Sequence, residues 1–308
     1  MMNTMQHDAN GTTSTRDYIR QRADQLRARR LAVSKVMIIL CGAALVLTAI
    51  PLVVLIEQLI VRGVSQISWG FFTQLPQSPT LSAPNAVGGV SNAVVGTLAL
   101  TLYASIMAIP VGVLTGVYLA ESDSKFAEAM RIVAQTMAGA PSILMGLFAF
   151  SVFVKYMHLG FTALAGAFAL AVLMLPVVTI STEIAVRNVP STLREAGLAL
   201  GVKPHKVSLR IVIPSALSGI VTGSLLAIAR AVGETAPVLL VIGGGYINEW
   251  RPLNPVSALP LSIFMGAKSV WPAERAQVWG IALVLVAFVF ILSLTARLWA
   301  GRSAKGRK

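Results

Sequence analysis

Two residues of opposite charge, Arg230 and Glu234, stand in a stretch that is otherwise apolar, small or weakly polar. A charge at membrane depth is costly, so such residues usually face a bundle interior or a wet cavity and mark a substrate path. The arginine precedes the glutamate at i, i+4, which is the less favourable order for helix stability, so an internal ion pair alone does not explain them. Arginine offers a planar fork of donors that matches two phosphate oxygens. The pair therefore predicts a pathway for an oxyanion, with a carboxylate that keeps binding weak enough for release.

The composition is that of a membrane protein. Of the 308 residues, 56% are hydrophobic and 12% are charged, which exceeds what a soluble core of this size can hide. About 20 apolar residues are enough to cross a bilayer. Six runs predict an all-α, polytopic protein with six transmembrane helices, although the fifth run qualifies only if the charged pair is tolerated. The runs are 36–56, 93–120, 132–154, 160–182, 214–243 and 276–296.

The distribution of positive charge predicts the orientation. Six spans place both termini on one side, and 19 of the 25 Lys and Arg residues fall there, which identifies it as the cytoplasm. The net charge of +13 is therefore mostly a topology signal and indicates contact with anionic membrane lipid. No basic stripe with interleaved aromatic residues suggests nucleic acid. The predicted domains are a basic cytoplasmic tail (1–35), a first helix (36–56), an external loop (57–92), a permease-like core (93–300) and a basic cytoplasmic tail (301–308).

Prolines interrupt four of the predicted spans, at Pro110, Pro141, Pro176 and Pro237. Each removes an intrahelical hydrogen bond and bends its helix. Pro237 also leaves the carbonyl of Gly233 without its usual partner, so the helix should bend beside the charged pair. Bends in most spans suit a transporter better than a passive anchor.

One loop on the predicted cytoplasmic side, 183–213, is long enough to contain short helices. Thr192 and Glu195 have the spacing of a capping box, Gly201 is a natural helix stop, and Pro204 can begin a second short helix. The first of these two short helices has a small, apolar face. An exposed face of this kind is a candidate docking surface for another protein.

The spacing in this loop resembles the EAA signature of ABC-importer permeases, E-A-A-x3-G-x9-I-x-L-P. Gly197 replaces the second alanine and Ile213 replaces the leucine. The resemblance implies that the loop inserts into a groove on a separate ATPase subunit, which binds ATP and Mg²⁺. The chain itself has no phosphate-binding loop and is expected to be a transport subunit without a cofactor, not an enzyme. The matching residues are Glu195, Ala196, Gly197, Gly201, Ile211 and Pro214.

Four further stretches are similar to the phosphate-specific ABC permeases. The sequence GETAP at 233–237 resembles the PstA-like permease type more than the PstC-like type. The resemblance implies a MetI-like architecture in the inner membrane and import of inorganic phosphate. It also implies a PstC-like permease partner, two PstB-like ATPase subunits and an external PstS-like binding protein. Many members carry an arginine where this chain has Ile180, and Arg187 or a partner residue is left open as its replacement. The stretches are 139–150, 175–183, 229–240 and 258–269.

Several alternatives stay open at this point. A single arginine does not identify the anion that it binds, so molybdate, sulfate or another oxyanion is an alternative substrate. The PstC-like type is an alternative assignment of the permease. A membrane-embedded enzyme would need more polar catalytic groups than these spans offer. A scaffold that only anchors a cytoplasmic partner would not need Arg230. His7, His158 and His205 are too scattered to predict a metal site, and the single Cys41 permits no internal disulfide.

Overall fold

The protein is all-helical, as predicted. The computed structural model describes the backbone of residues 6–305 and the side chains of residues 30, 31, 33–295, 297 and 298. Over this part of the chain no strand forms beyond isolated bridges. Two π-helical segments, Phe150–Tyr156 and Ser208–Val212, accompany the α-helices. The α-helices are α1 (Gln6–Val64), α2 (Trp69–Thr73), α3 (Ser91–Glu121), α4 (Lys125–Ala138), α5 (Ser142–Ala149), α6 (Ala163–Arg187), α7 (Ser191–Ala199), α8 (Pro204–Val207), α9 (Ile213–Val232), α10 (Ala236–Leu239), α11 (Leu259–Ala267) and α12 (Pro272–Lys305).

Five helical segments in the described chain are long and apolar enough to cross a membrane, and a bent pair of helices makes a sixth if it counts as one span. The predicted number of six is therefore reached only with the bent pair. The five segments are Val33–Val64, Ser91–Glu121, Ala163–Arg187, Pro204–Val232 and Pro272–Thr295.

The bent pair corrects the prediction of a continuous span over 132–154. Helix α4 and the helix that begins at Ser142 meet at 102°. Pro141 lies at this corner and precedes the first residue of α5, so its ring ends α4 instead of bending a single helix. Pro110 and Pro176, in contrast, lie inside the continuous helices α3 and α6.

The chain divides into two units, Met1–Gln58 and Leu59–Lys308. In the first unit α1 begins at Gln6, so the described part of the predicted tail (6–35) and the predicted first span (36–56) belong to one helix. Its large apolar side chains from Leu31 to Ile56 are exposed. The side chains of residues 1–29, including His7, and of 301–308 lie outside the described residues, so the basic character of the tails stays a prediction. The predicted loop 57–92 begins only after Val64 and contains α2.

Helix α6 is the centre of the second unit and is packed on two sides by glycine pairs. Gly112 and Gly116 of α3 lie against Val178, Thr179 and Thr182, and a Cβ atom at Gly116 would come within 2.5 Å of the Thr179 carbonyl oxygen. Gly219 and Gly223 of α9 lie against Ala185 and Ser181, with 2.3 Å between a Cβ at Gly223 and the Ser181 Cβ. Both pairs have the G-x-x-x-G spacing that lets membrane helices approach closely. The backbone of α6 is thus held between α3 and α9.

The loop that follows α10 caps the amino end of α6. The backbone N–H groups of Ala163 and Leu164 donate to the carbonyls of Asn254 and Pro252, at 2.9 and 2.7 Å. Glu249 shapes this loop by accepting hydrogen bonds from the Arg251 N–H, the Asn254 side-chain amide and the Trp250 N–H, which together lower its pKa. The helix end that has no internal partners is therefore satisfied by loop carbonyls without water.

The close contact at Gly223 predicts a specific loss of stability. We expect Gly223→Leu to separate α6 from α9, because a Cβ alone already collides with Ser181, and overpacking a core costs about 1–3 kcal/mol. Thermal unfolding of the purified protein in detergent measures the effect. Gly42→Leu is the matched control, because nothing lies within 4 Å of a Cβ at Gly42. Equal melting temperatures for the two variants would contradict the packing described here.

Candidate functional site

The charged pair lies at a break in the fifth span. Arg230 is in the last turn of α9, which ends at Val232, and Gly233 is its C-cap residue. The chain is unwound over 233–235 before α10 starts at Ala236. The sequence predicted a bent but continuous helix over 214–243, so this is a correction. Pro237 explains it, because its ring would clash with the Gly233 carbonyl in a continuous helix, whereas proline fits the first turn of a new one.

The break lies at the depth of the middle of α6 and not at its end. Gly223 contacts Ser181, and one and two turns further along α9, Ala227 and Ala231 pack in one cluster with Leu170 and Met174 of α6. The chain beyond α10 reaches the amino end of α6 only at Val241, whose carbonyl accepts the N–H of Thr162 at 3.0 Å. Unwound backbone at this depth is found in transporter spans that line a substrate site.

The two side chains of the pair differ in exposure. Arg230 Nε lies 3.5 Å from Glu234 Oε1, which makes an ion pair that is longer than a good hydrogen bond. The arginine side chain is 46% exposed and the glutamate side chain 19%. Ala229, Ala231 and Val232, which surround the arginine in sequence, are buried. The guanidinium therefore projects from the outer face of this chain with donors still available.

Glu234 reaches toward the other helices instead. It lines a cavity of about 10 Å³ together with Thr97 and Thr101 of α3 and with Ala258 and Pro260 at the start of α11. The Leu259 N–H of α11 donates to Thr97 Oγ1 at 2.9 Å. The carboxylate is thus held inside the chain while the arginine faces outward.

The bent pair of helices adjoins the same break. A Cβ atom at Gly146 of α5 would lie 2.6 Å from Pro237 Cα and 2.7 Å from the Pro237 carbonyl oxygen, so the two backbones are in direct contact. Pro237 itself is buried. Gly233 and Pro237 therefore lie at the break that α5 contacts. Pro176, also predicted to bend a helix, lies inside the continuous helix α6.

A larger cavity of about 550 Å³ lies elsewhere and includes neither Arg230 nor Glu234. It is lined by the chain around Gln77, the glycines at 243–245 and helices α11 and α12. Its one charged lining residue is Glu274, which repels an anion. We therefore place the candidate anion site at the break and not in the larger cavity. The described side chains contain no group of three His, Cys, Asp or Glu residues that could hold a metal ion.

The EAA-like loop folds as a short helix followed by a glycine stop. Helix α7 starts at Ser191 after Pro190, with no side-chain cap, so the predicted capping box of Thr192 and Glu195 does not form. Gly201 has a φ of +74°, its N–H donates to the Leu198 carbonyl, and the next N–H, of Val202, donates to the Gly197 carbonyl. These two bonds define a Schellman motif. The prediction of Gly201 as the helix stop is therefore confirmed.

The structure divides the EAA-like residues between two elements. Glu195, Ala196, Gly197 and Gly201 belong to α7 and its end, whereas Ile211 and Pro214 lie in the fifth span. Pro204 begins a helix, α8, as predicted, but this helix is not a separate short one, because it continues through the π-helical segment into α9 as the span Pro204–Val232. Gly197 joins the two elements, since a Cβ there would come within 2.9 Å of Ile211 Cδ1. Glu195 and Ala196 are exposed, as a docking surface requires.

Two ion-pair groups were not predicted from the sequence. Glu183, in α6, accepts Arg131 Nε at 2.7 Å and lies 3.1 Å from Arg187 Nε through the same oxygen, Oε1. Glu121 pairs with Arg194. The i, i+4 spacing of Glu183 and Arg187 was a usable signal, but the other partners are 52 and 73 residues apart. Arg187 is thus engaged at the carboxyl end of α6 by Glu183 and by the Leu119 carbonyl.

Comparison with known proteins places the chain. Residues 108–306 match the family model described as the binding-protein-dependent transport system inner membrane component. The phosphate transport system permease protein PstA of Haemophilus influenzae is 38% identical over 78% of this chain and 84% of its own length. PstA 1 of Mycobacterium tuberculosis strain CDC 1551 / Oshkosh is 40% identical over 82% of this chain and 83% of its own length.

A solved structure supports the fold. The inward-facing MetNI methionine ABC transporter contains a chain that aligns with a TM-score of 0.55 at 19% identity, over 68% of this chain and 94% of that one. The family model matches more than half of this sequence, and the relatives align with most of it. This chain belongs to the family of binding-protein-dependent transport system inner membrane components.

Proposed function

We propose that this chain is the PstA-like permease subunit of an ABC importer that moves inorganic phosphate across the cytoplasmic membrane. The relatives that match most of its length are named as phosphate transport permeases. The observation that carries the proposal is the position of Arg230, a half-exposed guanidinium beside unwound backbone at the middle depth of the bundle. An exposed arginine at that depth needs water or an anion, because lipid would not solvate it.

Each part of the break has a role in this proposal. The planar fork of Arg230 binds two oxygens of the anion. Glu234, 3.5 Å away, lowers the local positive charge, so that the anion is held weakly enough to leave. The unwound residues 233–235 let α10 and α9 move separately. A PstC-like permease supplies the opposite wall of the path, and an external PstS-like binding protein delivers the anion.

The exposed loop is the proposed contact with the subunits that hydrolyse ATP. Helix α7, with Glu195, Ala196 and Gly201, enters a groove on one of two PstB-like ATPase subunits, which bind ATP and Mg²⁺. Both termini and this loop lie in the cytoplasm in this arrangement, as the positive charge indicates. Closure of the ATPase pair then moves α7 and rocks the spans against each other.

The first prediction concerns the arginine. We expect Arg230→Ala to lower phosphate uptake by at least tenfold, because no other described residue offers a fork of donors at the break. Uptake of labelled phosphate by cells that lack other phosphate importers measures the loss, with complex assembly checked by co-purification. Arg297→Ala is the matched control, since Arg297 is an exposed arginine far along α12. Normal uptake by Arg230→Ala would favour a scaffold role, and uptake of sulfate or molybdate in place of phosphate would reassign the anion.

The second prediction concerns selectivity. Hydrogen phosphate carries a hydroxyl donor and sulfate does not, so the Glu234 carboxylate accepts a hydrogen bond from the first and repels the second. We expect Glu234→Gln to narrow the preference for phosphate over sulfate. Competition between the two anions in reconstituted complexes measures it, with Glu128→Gln, an exposed glutamate of α4, as control. Unchanged discrimination in Glu234→Gln would place selectivity in the binding protein.

A further inference from the structure

Three arginines from three different helices converge on the carboxyl end of α3. The carbonyl of Leu119 accepts Nη2 of Arg131 at 3.1 Å and Nη2 of Arg187 at 3.2 Å. Glu121, the last residue of α3, accepts Nη1 of Arg194. We call this group, completed by Glu183, the α3 junction. The last carbonyls of a helix lack internal partners and carry partial negative charge, so guanidinium groups are favoured there.

The arginine of α7 has a different position from the other two. Arg131 and Arg187 share the buried carboxylate of Glu183, and both also donate to the Leu119 carbonyl, so they fasten α4 and α6 to α3. Arg194 instead fastens α7, since Nη1 reaches Glu121 and Nη2 donates to the Val186 carbonyl at 3.3 Å. One guanidinium thereby contacts both α3 and α6. A planar fork with two fixed contacts restrains orientation as well as distance.

Helix α7 has only one other attachment that buries a residue. Gly197 is its single buried residue, and it packs on Val207 and Ile211 at the start of the fifth span. The two leucines of α7, Leu193 and Leu198, are exposed, and the C-cap residue Leu200 is 82% exposed. Without Arg194, a push on α7 would reach the fifth span through Gly197, but α7 could pivot about that contact. With Arg194 in place, the same push also reaches α3 and α6.

We propose that Arg194 is a positioning residue that transmits the displacement of α7 to α3 and α6 through Glu121 and the Val186 carbonyl. The inference rests on the proposed docking of α7 on an ATPase. It goes beyond that docking, because it names the contact through which the displacement of α7 passes to α3 and α6. Since α3 is locked to α6 by Gly112 and Gly116, motion of the α3 junction moves both helices together.

The test is the number of anions transported per ATP hydrolysed by the complete complex in liposomes. We expect Arg194→Gln to lower this ratio at least fivefold while ATP hydrolysis stays within twofold of the unmodified complex. The charge exchange Arg194→Glu with Glu121→Arg should recover at least half of the ratio, because the ion pair is restored in reverse. Arg297→Gln is the control and should leave the ratio unchanged.

A purely structural role for Arg194 gives a different result. Transport and ATP hydrolysis would then fall in parallel, or neither would change. In both cases the number of anions transported per ATP keeps its unmodified value, and this result overturns the proposal. If Arg194→Gln does not assemble, Glu121→Gln decides, since it keeps the size of the acceptor and removes its charge; an unchanged ratio there also overturns the proposal. The ratio is equally measurable with sulfate or molybdate, so a wrong anion would refute the proposed substrate and leave this test intact.

Discussion

The solvation of one guanidinium constrains the rest of this structure. Arg230 lies at the middle depth of a helical bundle with nearly half of its side chain exposed, and lipid cannot solvate it. Three features accommodate the charge: the span is broken over 233–235, Glu234 stands within ion-pair distance, and the guanidinium faces away from the apolar core. Each of these features destabilises a simple membrane helix. Together they fit the wall of the proposed hydrated path for an anion.

The fifth span connects this path to the loop that the ATPase is proposed to grip. Ile211, which contacts α7 through Gly197, and Arg230 are 19 residues apart, or roughly 28 Å along a helix. The π-helical segment Ser208–Val212 is the one irregularity described between the loop and the break, and such segments often occur at functional sites. The tight glycine contacts on α6 keep this length of helix in register. In the proposed mechanism, force and substrate therefore act at opposite ends of a single packed element.

The sequence predicted the helices well and their interruptions less well. Long apolar runs without charge indicate spans regardless of partners, because burial of apolar side chains in lipid needs no tertiary contact. The corners at Pro141 and Pro237 were expected as bends, and both are breaks, because the second helix in each case is held in its new direction by contacts such as that of Gly146 with Pro237. A local pattern does not contain those contacts.

The charged residues show the same limit. Arg230 and Glu234 stood out because their surroundings are apolar, and Gly201 because its role is local. The pairing of Arg194 with Glu121 had no such signal, since each is an ordinary charged residue near a helix end. The capping box at Thr192 does not form because the N-cap residue of α7 is Pro190, two residues before the predicted N-cap. The sequence therefore located the candidate anion site and the candidate docking loop, but not the α3 junction that ties α7 to α3 and α6.

Chemical accessibility of the break tests the central claim most directly. In a chain with Cys41→Ser and Thr235→Cys, assembled with its partners, a membrane-impermeant thiol reagent should modify the new cysteine, because residues 233–235 border a hydrated path. Phosphate should slow the modification, and chloride at equal ionic strength should not. A cysteine at this position that never reacts, or that reacts at the same rate with and without phosphate, would contradict an anion path at Arg230.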